Sequence, residues 1–366
     1  MEQISGSRRA AVFYVDRGSS FQKFLTWWIY TWKVIGLDAE EEAFDIILMT
    51  HPESITKLPM ECDRIDNDFD PEAPGPGRCL YKELVGVSER DPRYDKYLNS
   101  QECLFNPAAS FLQHYRLLLR ADLDTFPTPA MLGYWPHDVI CNRNAVYAGT
   151  VFHREDIEGP IREAAKAAGI KHNHWHNLDS TWLGPSTRII ALSKLTTSLA
   201  LFVRAHMFGP GTKCRCSTCI VPPETCEWGG GIYQGTLLLY AQEIAMNKIW
   251  TQREYDEQLY DVLDASCSDP DLHVCKPVLL HARHIDQPFS KFAFLRGEYA
   301  DYDLATLDIT NVRDYAIFMA ITSAGQGRNE VEGAKNYKKK VGVSLNQLCK
   351  VVNKEKRANS SVGGFC

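Results

Sequence analysis

The sequence predicts an α/β fold with a mostly parallel central sheet flanked by helices. Three observations carry this. Ala10-Ala11-Val12-Phe13-Tyr14-Val15 is a continuous apolar run, as in a strand buried on both faces. Phe21 to Ile35 then has helical character and stops at Gly36, and Phe44 to Thr50 (FDIILMT) is a second buried run. Strand, helix, strand in that order is the opening of a doubly wound sheet, whose ligands bind beyond the carboxyl ends of the strands.

The later elements follow the same logic. Residues 61–80, rich in Pro, Gly, Asp and Glu, read as a long surface loop or an insertion. Asn106-Pro107 opens a short helix to about Tyr115, since proline suits a first helical turn. Arg116 to Ala121 (RLLLRA) is a strand running into Asp122-Leu123-Asp124, stopped by Pro127 and Pro129. Ser180 to Leu183 is a strand followed by a helix from Ser186 to about Phe208. Gly229-Gly230-Gly231 precedes a helix from Gly235 to about Asn247, and Pro277 to His281 is a late strand. Residues 1–322 are expected to form one catalytic domain, with 10–125 as its nucleotide-binding half and 126–322 as its acceptor half. Residues 323–366, with Lys338-Lys339-Lys340, are expected to be a basic, peripheral tail.

The chain has 366 residues, 45% hydrophobic and 23% charged, enough apolar material for a sizeable core. Its net charge of -6 is the wrong sign for a nucleic-acid partner. No run of roughly 18 consecutive apolar residues marks a membrane span. The chain is expected to be soluble, in the cytoplasm or, with an upstream anchor, in the Golgi lumen. Of its 12 cysteines, Cys214, Cys216, Cys219 and Cys226 are clustered. That spacing admits a small metal site, disulfides or free thiols.

The chemistry concentrates at Asp122 and Asp124. An apolar strand delivers two carboxylates two residues apart, and side chains two apart on a strand share a face. Two carboxylates brought together repel, and a divalent cation removes that cost. Hard oxygen ligands suit Mg²⁺ or Mn²⁺, which bridge carboxylates to substrate phosphates. At this point the chain resembles the GT-A glycosyltransferases, whose DxD motif ends a strand of a nucleotide-binding sheet. The likeness lies in the order of parts from about Ala11 to Tyr299.

That resemblance implies a nucleotide-diphospho-sugar transferase fold. It implies transfer of a sugar from a UDP- or GDP-sugar donor to a hydroxyl of a glycan, protein or small molecule. It implies Mn²⁺ or Mg²⁺ as cofactor, with His281 at the end of a late strand as third ligand and His284 as its alternative. Lys291 takes the place of a lysine that contacts the diphosphate. Tyr14 and Asp16 fall where the base and ribose are held, and read equally as a core ring and a helix cap. Asp45 reads as structural.

In the stretch from Lys171 to Gly184, three alternating histidines admit a metal, but Asn, Asp and Trp favour a sugar site. Asn177 and Trp182 are the expected substrate contacts there. Cys226-Glu227-Trp228-Gly229-Gly230-Gly231 partly resembles a Trp-Gly-Gly-Glu acceptor segment of some inverting members. The acid after the glycines is missing, so Glu227 and Asp179 are the candidate catalytic acid or base groups, with Trp228 and Gly229 facing substrate. Two other classes fit the acids: a nucleotidyltransferase, and a non-catalytic carbohydrate-binding protein on the same fold. The weakly basic Arg17-Gly18-Ser19-Ser20 turn counts against the first.

Overall fold

The computed structural model describes residues 7–17, 22–136, 138–141, 155–176, 178, 180–208, 214–215, 220–221, 236–250, 263, 265–267, 269, 271–282, 289–299, 301–325 and 349. Within these, side chains 22, 155–157, 214–215 and 220–221 are not described. In chain order the strands and helices are β1 (Arg9–Val15), α1 (Gln22–Ile35), β2 (Phe44–Thr50), β3 (Asp63–Arg64), β4 (Cys79–Glu83), α2 (Val87–Arg90), α3 (Asn99–Glu102), β5 (Leu117–Arg120), β6 (Thr125–Pro127), β7 (Ile140–Cys141), α4 (Glu155–Ala167), β8 (Trp182–Pro185), α5 (Ser186–Phe208), β9 (Cys214–Arg215), β10 (Ile220–Val221), α6 (Leu237–Ile249), β11 (Ala265–Ser266), β12 (Leu279–His281), α7 (Lys291–Leu295) and α8 (Val312–Ala324).

Among the described residues the main sheet has seven strands in the order β3-β4-β2-β1-β5-β8-β7. β1 pairs in parallel with β2 and β5, and β4 is parallel to β2 and β3. β8 runs antiparallel to β5 and β7. The protein is thus mixed α/β with a parallel-rich sheet flanked by helices, compatible with a Rossmann-like fold. β1 is buried along its whole length, and its alternate residues feed two cores. Ala11, Phe13 and Val15 join the tryptophans of α1 and the apolar face of α8. Ala10, Val12 and Tyr14 join α4, α5 and α6 on the other face.

α1 ends as its sequence requires. Gly36 sits at φ 82°, a left-handed backbone that glycine adopts without strain, and Leu37 N–H donates to Trp32 O (3.0 Å). Asp45 is structural: fully buried, it accepts from Arg8 (2.5 Å), Arg78 (2.7 Å) and the Tyr115 hydroxyl (2.7 Å). α5 is, among the described residues, the one helix long and apolar enough to cross a membrane, by length and composition only. Its Ile189, Leu192, Ala200 and Val203 belong to the core, the ordinary position of a helix lying on a sheet.

Residues 61–80 are less of a free loop than expected. β3 and the start of β4 fall within them, and a disulfide joins Cys62 to Cys79. A second disulfide joins Cys275 to Cys349, which is fully buried, so the basic tail is tied to the body at that point. The domain boundary expected at 322 falls inside α8. Cys103, Cys141 and Cys267 are buried thiols.

Candidate metal centre

Three elements meet where β5 leaves the main sheet. β1 sends its connection to β2 on one side and has β5 on the other, so the strand order reverses beside the carboxyl end of β5. Asp122-Leu123-Asp124 links β5 to β6, which belongs to a second sheet, β11-β12-β6. The two acids therefore lie on a turn rather than on the regular strand that the sequence suggested. The turn is pinned from below. The Trp28 indole donates to the Thr125 hydroxyl (2.8 Å), which donates to the Asp122 carbonyl (2.8 Å). Trp27 stacks on Phe126, ring centroids 4.6 Å apart, and holds β6 against α1.

β12 then delivers His281. Its register sets His281 opposite Thr125, and the Ala282 N–H donates to Asp124 O (3.0 Å). His281 Nε2 lies 3.4 Å from Asp124 Oδ1 and 4.0 Å from Asp122 Oδ2. An octahedral ion with bonds of about 2.1 Å separates neighbouring ligand atoms by about 3 Å and opposite ones by about 4 Å. Asp122, Asp124 and His281 have the spacing and the donor types to hold one divalent cation, and their ligand atoms all lie within 4.8 Å of one another.

The two acids differ. The Asp122 side chain is 37% exposed and faces solvent; that of Asp124 is buried. Burial pushes the Asp124 carboxyl up, but the His281 imidazole and then the Lys291 ammonium more than offset this and hold it well below the usual carboxylate range. Lys291 is the first residue of α7, which is capped by the Ser290 hydroxyl. Its Nζ, almost fully buried, is hydrogen-bonded to Asp124 Oδ2.

Two residues at the site were missed by sequence reasoning. Arg120, buried in β5, forms an ion pair with Asp122 (Nη1 to Oδ1, 3.0 Å) and donates from Nη1 to the Ser180 carbonyl (2.5 Å) and from Nη2 to Ser100 Oγ (2.6 Å). Ser180 in turn donates its hydroxyl to Asp122 Oδ2 (3.1 Å). An arginine inside an apolar strand, two residues before an acid, was the available signal, because a buried guanidinium must be paired.

The remaining expected residues fall elsewhere. Tyr14 is buried, its hydroxyl donating to Leu84 O (3.3 Å), and burial followed by the nearby Asp16 charge raises its phenol. Asp16 follows β1 at its carboxyl end, half-buried, and accepts the Arg17 N–H (2.8 Å). Trp182 is fully buried in the helix-covered core opposite Arg120, so its ring has no face open to a sugar. Asn177, Asp179, Glu227, Trp228, Gly229 and His284 lie outside the described residues, as do the side chains of the Cys214 cluster.

A search of curated proteins finds none that matches the chain. A family model, the domain of unknown function DUF7164, matches residues 3–361, nearly the whole sequence. The chain belongs to the DUF7164 family.

Proposed function

We propose that the protein is a metal-dependent glycosyltransferase on a GT-A-like fold, taking a sugar from a nucleotide-diphosphate donor to a hydroxyl acceptor. The observation that carries this reading is the convergence of Asp122, Asp124 and His281 at the carboxyl end of β5, with Lys291 against them. Mn²⁺ or Mg²⁺ on these ligands would neutralise the charge that builds on the leaving diphosphate. Two carboxylates and one imidazole suit Mn²⁺ somewhat better than Mg²⁺, which prefers oxygen alone.

The chain's own residues supply the rest. Lys291 pairs with Asp124 until a diphosphate arrives, then gives its ammonium to a phosphate oxygen. Arg120 and Ser180 hold Asp122 in place from opposite oxygens. Asp16 faces the same strand ends and serves the nucleoside. Trp182 lies in the core and offers no ring face to the sugar. Asp179 and Glu227 are the candidate acid or base groups for the acceptor, and Asn177, Trp228 and Gly229 the sugar-side contacts, on sequence grounds.

A thermal-shift panel of UDP-, GDP- and CMP-sugars, with and without Mn²⁺, tests this reading. One nucleotide class should stabilise the protein, and only with the metal. At a hundredfold excess over the dissociation constant the gain should be about 2.7 kcal/mol. Equal stabilisation in excess chelator, or none with any donor, would contradict it.

A further inference from the structure

We propose that His172, His176 and Glu243 form a second, buried metal site that takes a zinc-class cation. Glu243 lies in the middle of α6 with its side chain fully buried. Two imidazoles from the segment before β8 converge on one of its oxygens: His176 Nδ1 stands 2.7 Å from Oε1, and His172 Nε2 stands 3.2 Å from the same atom. The rings lie nearly face to face, centroids 4.6 Å apart and planes 26° from parallel. Both histidine side chains are more than nine-tenths buried.

A tetrahedral zinc ion with bonds of about 2.0–2.1 Å separates its ligand atoms by roughly 3.3 Å. The 3.2 Å spacing is close to that and the 2.7 Å spacing about 0.6 Å short of it, while all three ligand atoms lie within 4.8 Å of one another. The cation takes the place of the protons between the rings and the carboxylate. Two imidazoles and one carboxylate are a common zinc set, softer than the acid-rich group at Asp122 and Asp124.

The surroundings fit a coordinated imidazole. His176 Nε2, on the far side of its ring, is buried and has no hydrogen-bond partner among the described residues. Glu158 Oε2, from α4, lies 3.7 Å from it, slightly beyond hydrogen-bond reach. With the cation on Nδ1, the Nε2 proton faces that carboxylate, the arrangement that usually fixes a ligating histidine. Asn247, one turn after Glu243, locks the segment to α6. Its Oδ1 accepts from Asn173 N (2.8 Å) and Trp175 N (3.3 Å), and its Nδ2 donates to Trp175 O (2.8 Å). Two adjustments are needed. Asn247 Nδ2 stands 3.1 Å from His172 Nε2 and must give up that contact for Nε2 to take the cation. The His174 amide faces His172 Nδ1 at 3.1 Å, and that peptide must turn for Nδ1 to carry the proton of a coordinated ring. His174 has φ 63°, a left-handed backbone costly for a non-glycine residue, so turning this peptide can relieve strain.

The role is structural. The cation would anchor the segment that, four residues on, carries Ser180 to Asp122. The inference does not depend on what the first site binds.

Elemental analysis of protein loaded with Zn²⁺ and then dialysed tests it, alongside X-ray absorption of the same sample. The wild type should retain zinc with nitrogen and oxygen neighbours, including imidazole. Glu243→Gln and His176→Gln should each lose one equivalent, whereas Asp124→Asn keeps it. Failure to retain zinc would overturn the proposal. So would retention by both variants with unchanged circular dichroism, or a zinc shell of sulfur alone. If neither variant folds, the absorption spectrum of the wild type decides, since a sulfur-only shell places the ion on cysteines.

Discussion

The ammonium of Lys291 is hydrogen-bonded to Asp124 across 167 positions of sequence, while His281 faces the other oxygen of the same carboxylate. One buried acid thus has two cationic or cation-binding neighbours. The lysine occupies charge space that a divalent ion would otherwise fill.

Replacing Lys291 separates its two roles. Lys291→Met should tighten binding of Mn²⁺ alone, because the competing ammonium is gone. The same change should weaken metal-dependent UDP or GDP binding. A hydrogen bond to a charged group contributes about 1.5–3 kcal/mol, so the loss should be roughly 10- to 150-fold. Calorimetric titration of each ligand checks both directions, and weaker binding of Mn²⁺ itself would show that Lys291 supports the metal instead of competing with it.

Arg120 should matter although it is buried within β5. Arg120→Met removes the hydrogen bond to the Ser180 carbonyl and the charge paired with Asp122, a loss of about 1–3 kcal/mol. Ser180→Ala removes one hydrogen bond, worth about 0.5–1.5 kcal/mol. Urea midpoints should rank Arg120→Met below Ser180→Ala, and Ser180→Ala, which removes orientation without removing charge, should bind Mn²⁺ less tightly. Unchanged metal affinity in Ser180→Ala would mean that Asp122 needs no orientation from that hydroxyl.

Much of this was legible in the chain because it depends on local pattern. β2 and α5 appear at the expected boundaries, and β1 and β5 within a residue or so. An apolar strand ending in two acids was enough to name Asp122 and Asp124, and the resemblance to the GT-A enzymes added His281. β8 came two residues later than expected, since its start is set by pairing with β5 rather than by its own sequence. α8 was not marked as an element: it is mostly apolar because it is buried, so it shows little of the periodicity that reveals a surface helix. Trp182 shows the other limit. A tryptophan in a polar segment suggested a stacking face, yet the strand turns it into the core, and only the sheet register reveals that. Arg120 and Ser180 act across 60 positions, a separation that composition cannot join.

Acid should weaken the metal-free protein partly through Asp124. Its folded carboxyl titrates below the unfolded value of about 3.9, so its contribution is fully present above that value. The contribution is lost as pH falls from there towards the folded value. Thermal unfolding between about pH 2.5 and 5 should show a smaller pH slope in Asp124→Asn than in the wild type. An equal slope would assign the loss to other acids.

Reduction should cost more at the tail than its composition suggests. The Cys275–Cys349 bridge closes a separation of 74 residues and the Cys62–Cys79 bridge one of 17. Loop-closure entropy assigns them about 4 and about 3 kcal/mol. Cys349→Ser should lower the unfolding midpoint under oxidising conditions and make it less sensitive to reductant. A midpoint unchanged by the substitution would show that the bridge adds nothing to the fold.

On the proposed reading, Asp122, Asp124 and His281 hold a divalent cation which in turn holds a nucleoside diphosphate. Calorimetric titration of UDP and of GDP into the protein, with Mn²⁺ and with excess chelator, tests it most directly. One of the two should bind with Mn²⁺ and not with chelator. Asp124→Asn should abolish that binding while circular dichroism stays unchanged, and His281→Ala should weaken it. Binding that survives chelation, or that persists undiminished in Asp124→Asn, would contradict the account.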